Sequence, residues 1–162
     1  MRRSLQFLIG IAIVAGLTGG CARQAGVPLN VPSPEHVDLK KAKKLKMPVV
    51  IYHIAVEKDE GGKSYPVVYF LNTSTKPVTI VTYHVEGHTK SGETVGLWAD
   101  DYEKVPPGKP SVNGRLGGSW NRTDIDCVTI RRADLEIGGE TLKFNEATVA
   151  QLFQDPKLNT CH

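Results

Sequence analysis

The sequence lacks several features that mark common enzymes and nucleic-acid-binding proteins. Only 7% of its residues are aromatic, it has three cysteines, and no glycine-rich loop with lysine suggests phosphate binding. Residues 117–121, Gly-Gly-Ser-Trp-Asn, miss the second glycine of a nucleophile elbow. From residue 47 onward there is no surplus of Lys and Arg over Asp and Glu. Nucleic acid is therefore disfavoured as a partner.

The N-terminal apolar run is too short to stay in a bilayer. Residues 5–17 are apolar or glycine except for Gln6, and they follow Arg2 and Arg3. A membrane-spanning helix needs about 20 apolar residues. A positive start, a short apolar stretch and small residues after it are typical of a secretory signal peptide, which we assign to residues 1–20.

The residues at the end of this run resemble a known signal. Thr18-Gly19-Gly20-Cys21 is similar to the lipobox of bacterial lipoproteins, although Thr18 stands where that family has Leu. The resemblance implies cleavage before Cys21, a diacylglycerol on its sulfur and an acyl chain on its new amine. The alternative is cleavage after Ala22 by the ordinary signal peptidase. Because Ala22 is not Asp, the resemblance also implies an outer-membrane anchor facing the periplasm.

The number of cysteines agrees with lipidation. If Cys21 carries lipid, Cys127 and Cys161 remain as an even pair, and an exported protein meets an oxidising compartment. We therefore predict a disulfide between Cys127 and Cys161. Closing a loop of about 34 residues is expected to stabilise the fold by roughly 3–4 kcal/mol.

Residues 21–46 are predicted to be a flexible tether. They hold three prolines after residue 27, no aromatic residue and no helix or strand periodicity, so they cannot build a core. Residues 39–46 carry five lysines. These lysines either attract anionic lipid headgroups or form a solvated end of the tether, in one helical turn. The second interpretation is favoured.

Residues 47–162 are predicted to form one domain, made mostly of strands. Val81, Tyr83 and Val85 alternate with polar residues, as in a half-buried antiparallel strand. Asn145 is placed to cap a short C-terminal helix over residues 146–153. The pattern predicts an all-β antiparallel sandwich of about seven strands with that helix. The predicted strands are residues 49–56, 66–71, 78–88, 94–98, 127–130, 133–137 and 141–144.

The turn residues of this region resemble small immunoglobulin-like modules of bacterial envelope proteins. The resemblance rests on Asn-Thr-Ser with Lys-Pro-Val at 72–78, Lys-Ser-Gly-Glu at 90–93 and Val-Pro-Pro-Gly-Lys at 105–109. It covers roughly residues 65 to 115 and implies an immunoglobulin-like sandwich. It implies no particular function, and the cysteine–tryptophan–cysteine core of antibody domains is absent.

Two histidines are the strongest metal candidates, but their spacing argues against a shared ion. On a strand, His84 and His88 lie about 13 Å apart, too far to bind one metal. Metal binding would need a different fold in this segment, or help from His53 or Asp100. We favour the interpretation that His84 and His88 are exposed polar side chains on the solvent face of the strand. We therefore predict no metal site and no cofactor.

A run of carboxylates invites an enzymatic or calcium interpretation. Asp100 and Asp101, with Glu103 nearby, could serve acid–base chemistry, yet adjacent residues of a strand point to opposite faces. The spaced ligands of a calcium loop are missing. A solvated loop is favoured, and no nucleophile with a base can be named, so no enzyme is predicted.

Three aromatic residues lie in or beside the loop-rich middle of the chain. Trp98, Tyr102 and Trp120 fit either an interface or an ordinary core, since both are enriched in Trp and Tyr. If they converge on one surface, they are candidates for a partner site. The sequence thus predicts a lipid-anchored, non-catalytic module that binds an envelope protein. The alternative is a periplasm-facing binding protein for a small ligand, glycan or metal.

Overall fold

The structure, a computed structural model, describes residues 32–161 and is all-β, with two antiparallel sheets. Cys21 and the predicted signal peptide lie outside the described residues. The first sheet pairs β1 with β2, and the second has the order β4-β3-β5-β6. The strands are β1 (Val49–Lys58), β2 (Ser64–Asn72), β3 (Val78–Thr89), β4 (Thr94–Asp101), β5 (Ile125–Ile137) and β6 (Glu140–Phe144).

One hydrophobic core joins the two sheets. The alternation predicted for β3 is confirmed, since Val81, Tyr83 and Val85 are buried while the residues between them are partly exposed. They pack in the same cluster as Phe70 of β2 and Leu135 of β5. Burying side chains of this size stabilises by about 1.5–3 kcal/mol each, which fixes the strand register.

The strand count is six in the described residues, where about seven were predicted. The two predicted strands at 127–130 and 133–137 are one strand, β5, which pairs along nearly all of β3. Its register shifts where His84 faces Arg132 and Val85 faces Ile130, so Arg131 is the extra residue of a bulge. The charged pair Arg131-Arg132 interrupts the apolar pattern in sequence without interrupting the strand.

An irregular segment after β4 covers the free edge of β2. Bridges join Leu71 to Pro110, Val67 to Arg115 and Ser64 to Trp120, so residues 110–120 run antiparallel to β2. The backbone N–H of Val68 donates to the carbonyl of Gly114 at 2.7 Å. Prolines and glycines prevent a continuous ladder here, and the segment remains outside the assigned strands.

The predicted C-terminal helix over residues 146–153 is wrong in its extent, since only part of that range is helical. The chain forms two short 3₁₀ helices, Val149–Leu152 and Pro156–Asn159. Asn145 does act as a local cap, since its Oδ1 accepts hydrogen bonds from the backbone N–H groups of Ala147 and Thr148. The helix cannot continue because Phe153 is extended and forms a parallel bridge with Ile51 of β1.

The C-terminal tail is fastened to β5 in two ways. The predicted disulfide between Cys127 and Cys161 is present, with 5.8 Å between the Cα atoms. The side chain of Asn159 also pairs with the backbone of Ile130. Its Oδ1 accepts from the Ile130 N–H at 2.6 Å and its Nδ2 donates to the Ile130 carbonyl at 2.9 Å. The tail is therefore part of the folded domain.

The lysine-rich segment forms a short helix that packs on the domain. This helix, α1 (Leu39–Lys44), is capped by Asp38, whose carboxylate accepts the backbone N–H groups of residues 40 and 41. Ala42 is buried against Met47 and Val50. Residues 38–46 thus differ from the flexible tether expected there. Within residues 32–161, no helix is both long and apolar enough to cross a membrane.

Candidate functional site

The three aromatic residues singled out from the sequence do not share one surface. Trp98 is 55% exposed and Tyr102 is 70% exposed, whereas Trp120 is buried in the core. Of the two interpretations open for Trp120, its burial supports the core, so its place in the candidate partner surface is wrong. Its indole N–H donates to the carbonyl of Val95 at 3.0 Å, and its backbone is held by hydrogen bonds exchanged with Ser64. This pairing with β2 turns the side chain inward.

Trp98 lies on the outer face of the four-stranded sheet, beside His84. The two residues face each other in the register of β3 and β4, and their ring centroids are 4.9 Å apart. Gly96 makes room for the imidazole, because a Cβ there would lie 3.3 Å from His84 Nε2. The two rings are inclined to each other by 44°, and Trp98 is the more exposed of the pair.

His88 has different partners from His84. Its Nε2 lies 2.9 Å from Thr129 Oγ1 and its Nδ1 lies 3.3 Å from Thr94 Oγ1. The two imidazoles therefore serve separate contacts on the sheet. Among residues 32–161 there is no group of three His, Cys, Asp or Glu side chains arranged to hold a metal ion.

Tyr102 lines an open cleft at the end of β4, which we call the Tyr102 cleft. It has a volume of about 600 Å³ and is formed by residues 100–103, 112–113 and 115–117. Two of its side chains are unusually exposed for their apolar character, Tyr102 at 70% and Val112 at 69%. The Tyr102 hydroxyl donates to Asp100 Oδ2 at 3.3 Å, which ties the ring to the strand.

Glu103 fixes the part of the cleft that residues 112 and 113 form. Its carboxylate accepts the backbone N–H of Val112 at 3.0 and 2.9 Å, and that of Asn113 at 3.0 Å. A hydrogen bond to a charged group contributes about 1.5–3 kcal/mol, so this contact orders an otherwise loop-like segment. Val112 is thereby held outward on the same cleft as Tyr102.

Asp101 forms a buried part of the cleft wall. It is 6% exposed, and its Oδ1 accepts the backbone N–H of Glu103 at 2.9 Å. Its Oδ2 has no hydrogen-bond partner within the described chain. Burial raises the pKa of Asp101; the Glu103 N–H opposes this, and the Glu103 charge adds to it. Asp100 and Asp101 belong to β4 and differ in burial, so the solvated loop expected for both is wrong.

Tyr83 places a second unpartnered group close to Asp101. The side chain is fully buried in β3, and its hydroxyl has no hydrogen-bond partner in residues 32–161. Burial raises the pKa of Tyr83, and the Asp101 carboxylate raises it further. The inner side of the cleft wall is therefore a place where added negative charge is costly.

The charge of the cleft is negative overall. Three carboxylates line it against one guanidinium, that of Arg115. Arg115 is also engaged elsewhere, because its guanidinium carbon lies 3.4 Å from the centroid of the Tyr65 ring. A cleft with exposed apolar groups and excess negative charge suits a segment that carries both apolar and basic side chains.

Sequence reasoning identified Tyr102 but missed the residues that shape its cleft. Glu103 was noted only as a neighbour of two aspartates, and Val112 and Arg115 lie in a segment without periodicity. Their positions depend on pairing with β2 far away in sequence. Comparisons with protein-family models, curated proteins and solved structures gave no match.

Proposed function

We propose that this chain is a lipid-anchored protein of the cell envelope, held at the outer membrane facing the periplasm, and that it acts as a non-catalytic module binding another envelope protein. The observation that carries the binding role is the Tyr102 cleft, where Tyr102 and Val112 project into solvent from a fixed frame. Aromatic side chains in such positions are the usual anchors of protein interfaces.

The frame supports binding because it is ordered before any partner arrives. Glu103 holds Val112 through backbone hydrogen bonds, and Asp100 and Gly117 exchange two backbone hydrogen bonds of 3.1 and 2.7 Å. A preorganised surface loses less conformational entropy on association. Burial of exposed apolar surface under a partner contributes about 25 cal/mol of favourable free energy per Å². A partner segment with a basic residue beside an apolar one fits this cleft.

The envelope location is supported by the chemistry of the chain. The N-terminal charge and apolar pattern end at Cys21, which then leaves an even pair of cysteines. That pair forms the disulfide between Cys127 and Cys161. Disulfides persist in oxidising compartments such as the periplasm. The fold class, the disulfide and the N-terminal pattern are therefore mutually consistent.

We further infer that the fold is an immunoglobulin-like sandwich. The support is the segment 110–120, which runs antiparallel to β2 and takes the place of a further strand in the smaller sheet. Counted with the six assigned strands, it gives the seven expected of such a module. Pro110 and Gly114 interrupt the regular hydrogen bonds between this segment and β2, but the segment still runs beside β2.

The alternative is a periplasm-facing protein that binds a small ligand, glycan or metal. The volume of the Tyr102 cleft, about 600 Å³, favours this alternative for an organic ligand, because it falls within the usual range of ligand sites. The cleft is open, however, and its most exposed side chains stand at the rim. That arrangement favours a covering protein surface over an enclosed ligand.

Photo-crosslinking in intact cells tests the proposal. A crosslinking amino acid at Val112 is compared with one at Thr141, which is exposed on β6 and outside the cleft. We expect one dominant protein adduct from position 112, lost on Tyr102→Ala, and none from position 141. Mass spectrometry of the same extract should show acyl chains on Cys21. Equal adducts at both positions would contradict the binding role of the cleft. An N-terminal peptide without lipid would contradict the lipid anchor on Cys21.

A further inference from the structure

We propose that α1 is a membrane-contacting element, whose lysines hold the domain against an anionic bilayer surface. The lysine patch is defined as Lys40, Lys41, Lys43, Lys44 and Lys46. This surface is separate from the Tyr102 cleft. It rests on the proposed function only in that a lipid anchor on Cys21 would bring the domain to a bilayer.

Most of the lysine patch has no acidic partner. Lys41 donates from Nζ to the carbonyl of Gln154 at 3.3 Å, but within residues 32–161 the other four lysines make no ion pair and no side-chain hydrogen bond. Elsewhere, three lysines pair with carboxylates at 3.4 to 3.8 Å: Lys76, Lys90 and Lys143. The charge of the patch is therefore left to solvent or to an external anion.

The acidic groups nearest in sequence do not neutralise the patch. Asp38 uses its carboxylate to cap α1, where it accepts two backbone N–H groups. Glu35 is exposed and belongs to the preceding 3₁₀ turn, Pro34–His36. Two carboxylates thus stand against five lysines, and the segment keeps a positive surplus. An anionic lipid surface is the partner with complementary charge.

The helix directs two of its lysines away from the domain. At about 100° per residue, the buried Ala42 marks the inner side of α1, and Lys40 and Lys44 fall on the opposite side. Leu39 and Leu45 flank Ala42 and are both exposed. The two leucines therefore lie toward the domain side of α1, about 60° to either side of Ala42. On the opposite side, the lysine stems can lie along the interfacial region while their ammonium groups meet headgroups.

The orientation of α1 is transmitted to the whole domain. The Asp38 backbone N–H donates to Gln154 Oε1 at 2.8 Å, and the Gln154 amide donates back to the Asp38 carbonyl. Ala42 packs on Met47 and Val50. Contact between the lysine patch and a bilayer would therefore fix the orientation of the β domain. A flexible tether alone would limit only its distance from the bilayer.

The net charge of the rest of the domain favours contact through the lysine patch over contact through other surfaces. Residues 47–162 contain more Asp and Glu than Lys and Arg, so their net charge is negative and an anionic surface does not attract them on balance. Cys21 precedes Leu39 by 18 residues, and a chain of that length spans at most about 65 Å when fully extended. A bilayer that holds Cys21 is therefore within reach of the patch.

Vesicle co-sedimentation tests the proposal with protein that carries no lipid. The chain from residue 21 onward, with Cys21→Ser, is mixed with phosphatidylcholine vesicles or with vesicles containing about one-third phosphatidylglycerol. We expect binding to the anionic vesicles alone. Raising the ionic strength from about 0.02 to 0.5 M should release it, since the Debye length shrinks severalfold. This salt test needs no substitution in the domain.

A matched pair of variants locates the contact. Lys40→Gln/Lys43→Gln/Lys44→Gln should weaken partition about 100-fold at low salt, since each lysine near an anionic surface contributes about fivefold. Gln is a good helix former, so α1 is retained. The control Lys63→Gln/Lys104→Gln/Lys109→Gln changes net charge equally at exposed lysines without ion pairs and should stay near wild type.

Equal losses in the two variants, or wild-type binding to neither vesicle, would overturn the proposal. The crosslinking at Val112 reports on the partner cleft and does not depend on vesicle binding. Failure of the membrane contact is thereby distinguishable from failure of the proposed function.

Discussion

The carboxylate of Glu103 accepts the backbone N–H of Val112, nine residues further along the chain, through both of its oxygens at 3.0 and 2.9 Å. This contact closes the loop that contains Pro106, Pro107 and Gly108. It also sets the distance between two exposed apolar side chains, Tyr102 and Val112, on one cleft. The shape of the candidate site therefore depends on one charged side chain that does not itself need to touch a partner.

Replacing Glu103 tests this dependence. Glu103→Gln removes the charge of the acceptor but keeps a neutral amide oxygen. It should lower the free energy of unfolding by about 1–2 kcal/mol, which is less than the full contribution of a hydrogen bond to a charged group. Crosslinking from position 112 should fall with it. Urea denaturation gives the stability. The control Glu140→Gln breaks an exposed ion pair with Lys76 and should change stability by less than about 0.5 kcal/mol. Equal effects would argue that Glu103 is merely another surface charge.

The two tryptophans should behave oppositely. Trp120→Ala removes a buried side chain and its hydrogen bond to Val95, and we expect a loss of about 3–5 kcal/mol. Trp98→Ala should cost less than about 1 kcal/mol, because Trp98 packs mainly on His84. Acrylamide quenching provides an independent check. The fluorescence of Trp98→Phe, in which Trp120 alone emits, should resist quenching, and that of Trp120→Phe should not.

The disulfide should contribute more to stability than any surface contact. It joins residues 34 apart in sequence, and loop-closure entropy predicts a loss of about 3–4 kcal/mol for Cys127→Ser/Cys161→Ser. Urea denaturation of the double variant and of oxidised wild type gives the difference. The Asn159 pairing with Ile130 should keep the tail in place in the variant. A difference below about 1 kcal/mol would show that these hydrogen bonds suffice.

Stability should depend on the ionisation of Asp101. Burial raises the pKa of Asp101, so the folded protein retains this proton to a higher pH than the unfolded chain does. The free energy of unfolding contributed by this group therefore falls as pH rises from about 3.9, the unfolded value, through the raised folded value. The contribution is most favourable below the unfolded pKa.

Asp101→Asn isolates this contribution. Asparagine cannot ionise but still accepts the Glu103 N–H. The variant should be more stable than wild type near pH 7 and similar to it near pH 3, as measured by urea denaturation at both values. The variant-minus-wild-type difference cancels the other titrating groups. A difference that does not change with pH would mean that Asp101 ionises normally in the folded state.

The strands could be predicted from sequence because their signal is local. β3 carries its alternation in Val81, Tyr83 and Val85, and packing on the core preserves it. The helix predicted at 146–153 failed for a non-local reason, since Phe153 is required to pair with Ile51 of β1. Asn145 caps only the turn at residues 146–148, and the helix that forms begins after Thr148, so both the predicted N-cap and the predicted length were wrong. Local capping does not determine where a distant strand ends a helix.

The cleft could be predicted only in part. Tyr102 follows a strand and was suspected from its type alone. Trp120 is also an aromatic residue in the loop-rich region, so its residue type predicts the same role. Its backbone hydrogen bonds with Ser64 nevertheless turn its side chain inward. Gly114 shows the same dependence, because a Cβ there would lie 2.5 Å from the Tyr69 ring. The course of residues 110–120 is set by β2, which a sequence pattern of turns cannot reveal.

The hydrogen bonds between Asp38 and Gln154 have a mechanical consequence. They join the segment that leads from the N-terminus to the segment that leads to the C-terminus, and Cys161 closes the latter onto β5. A pulling force on the N-terminal side is shared between α1 and the C-terminal segment, which is covalently linked to the four-stranded sheet. Tension applied at residue 38 would therefore reach the four-stranded sheet through Gln154 and the disulfide as well as through β1.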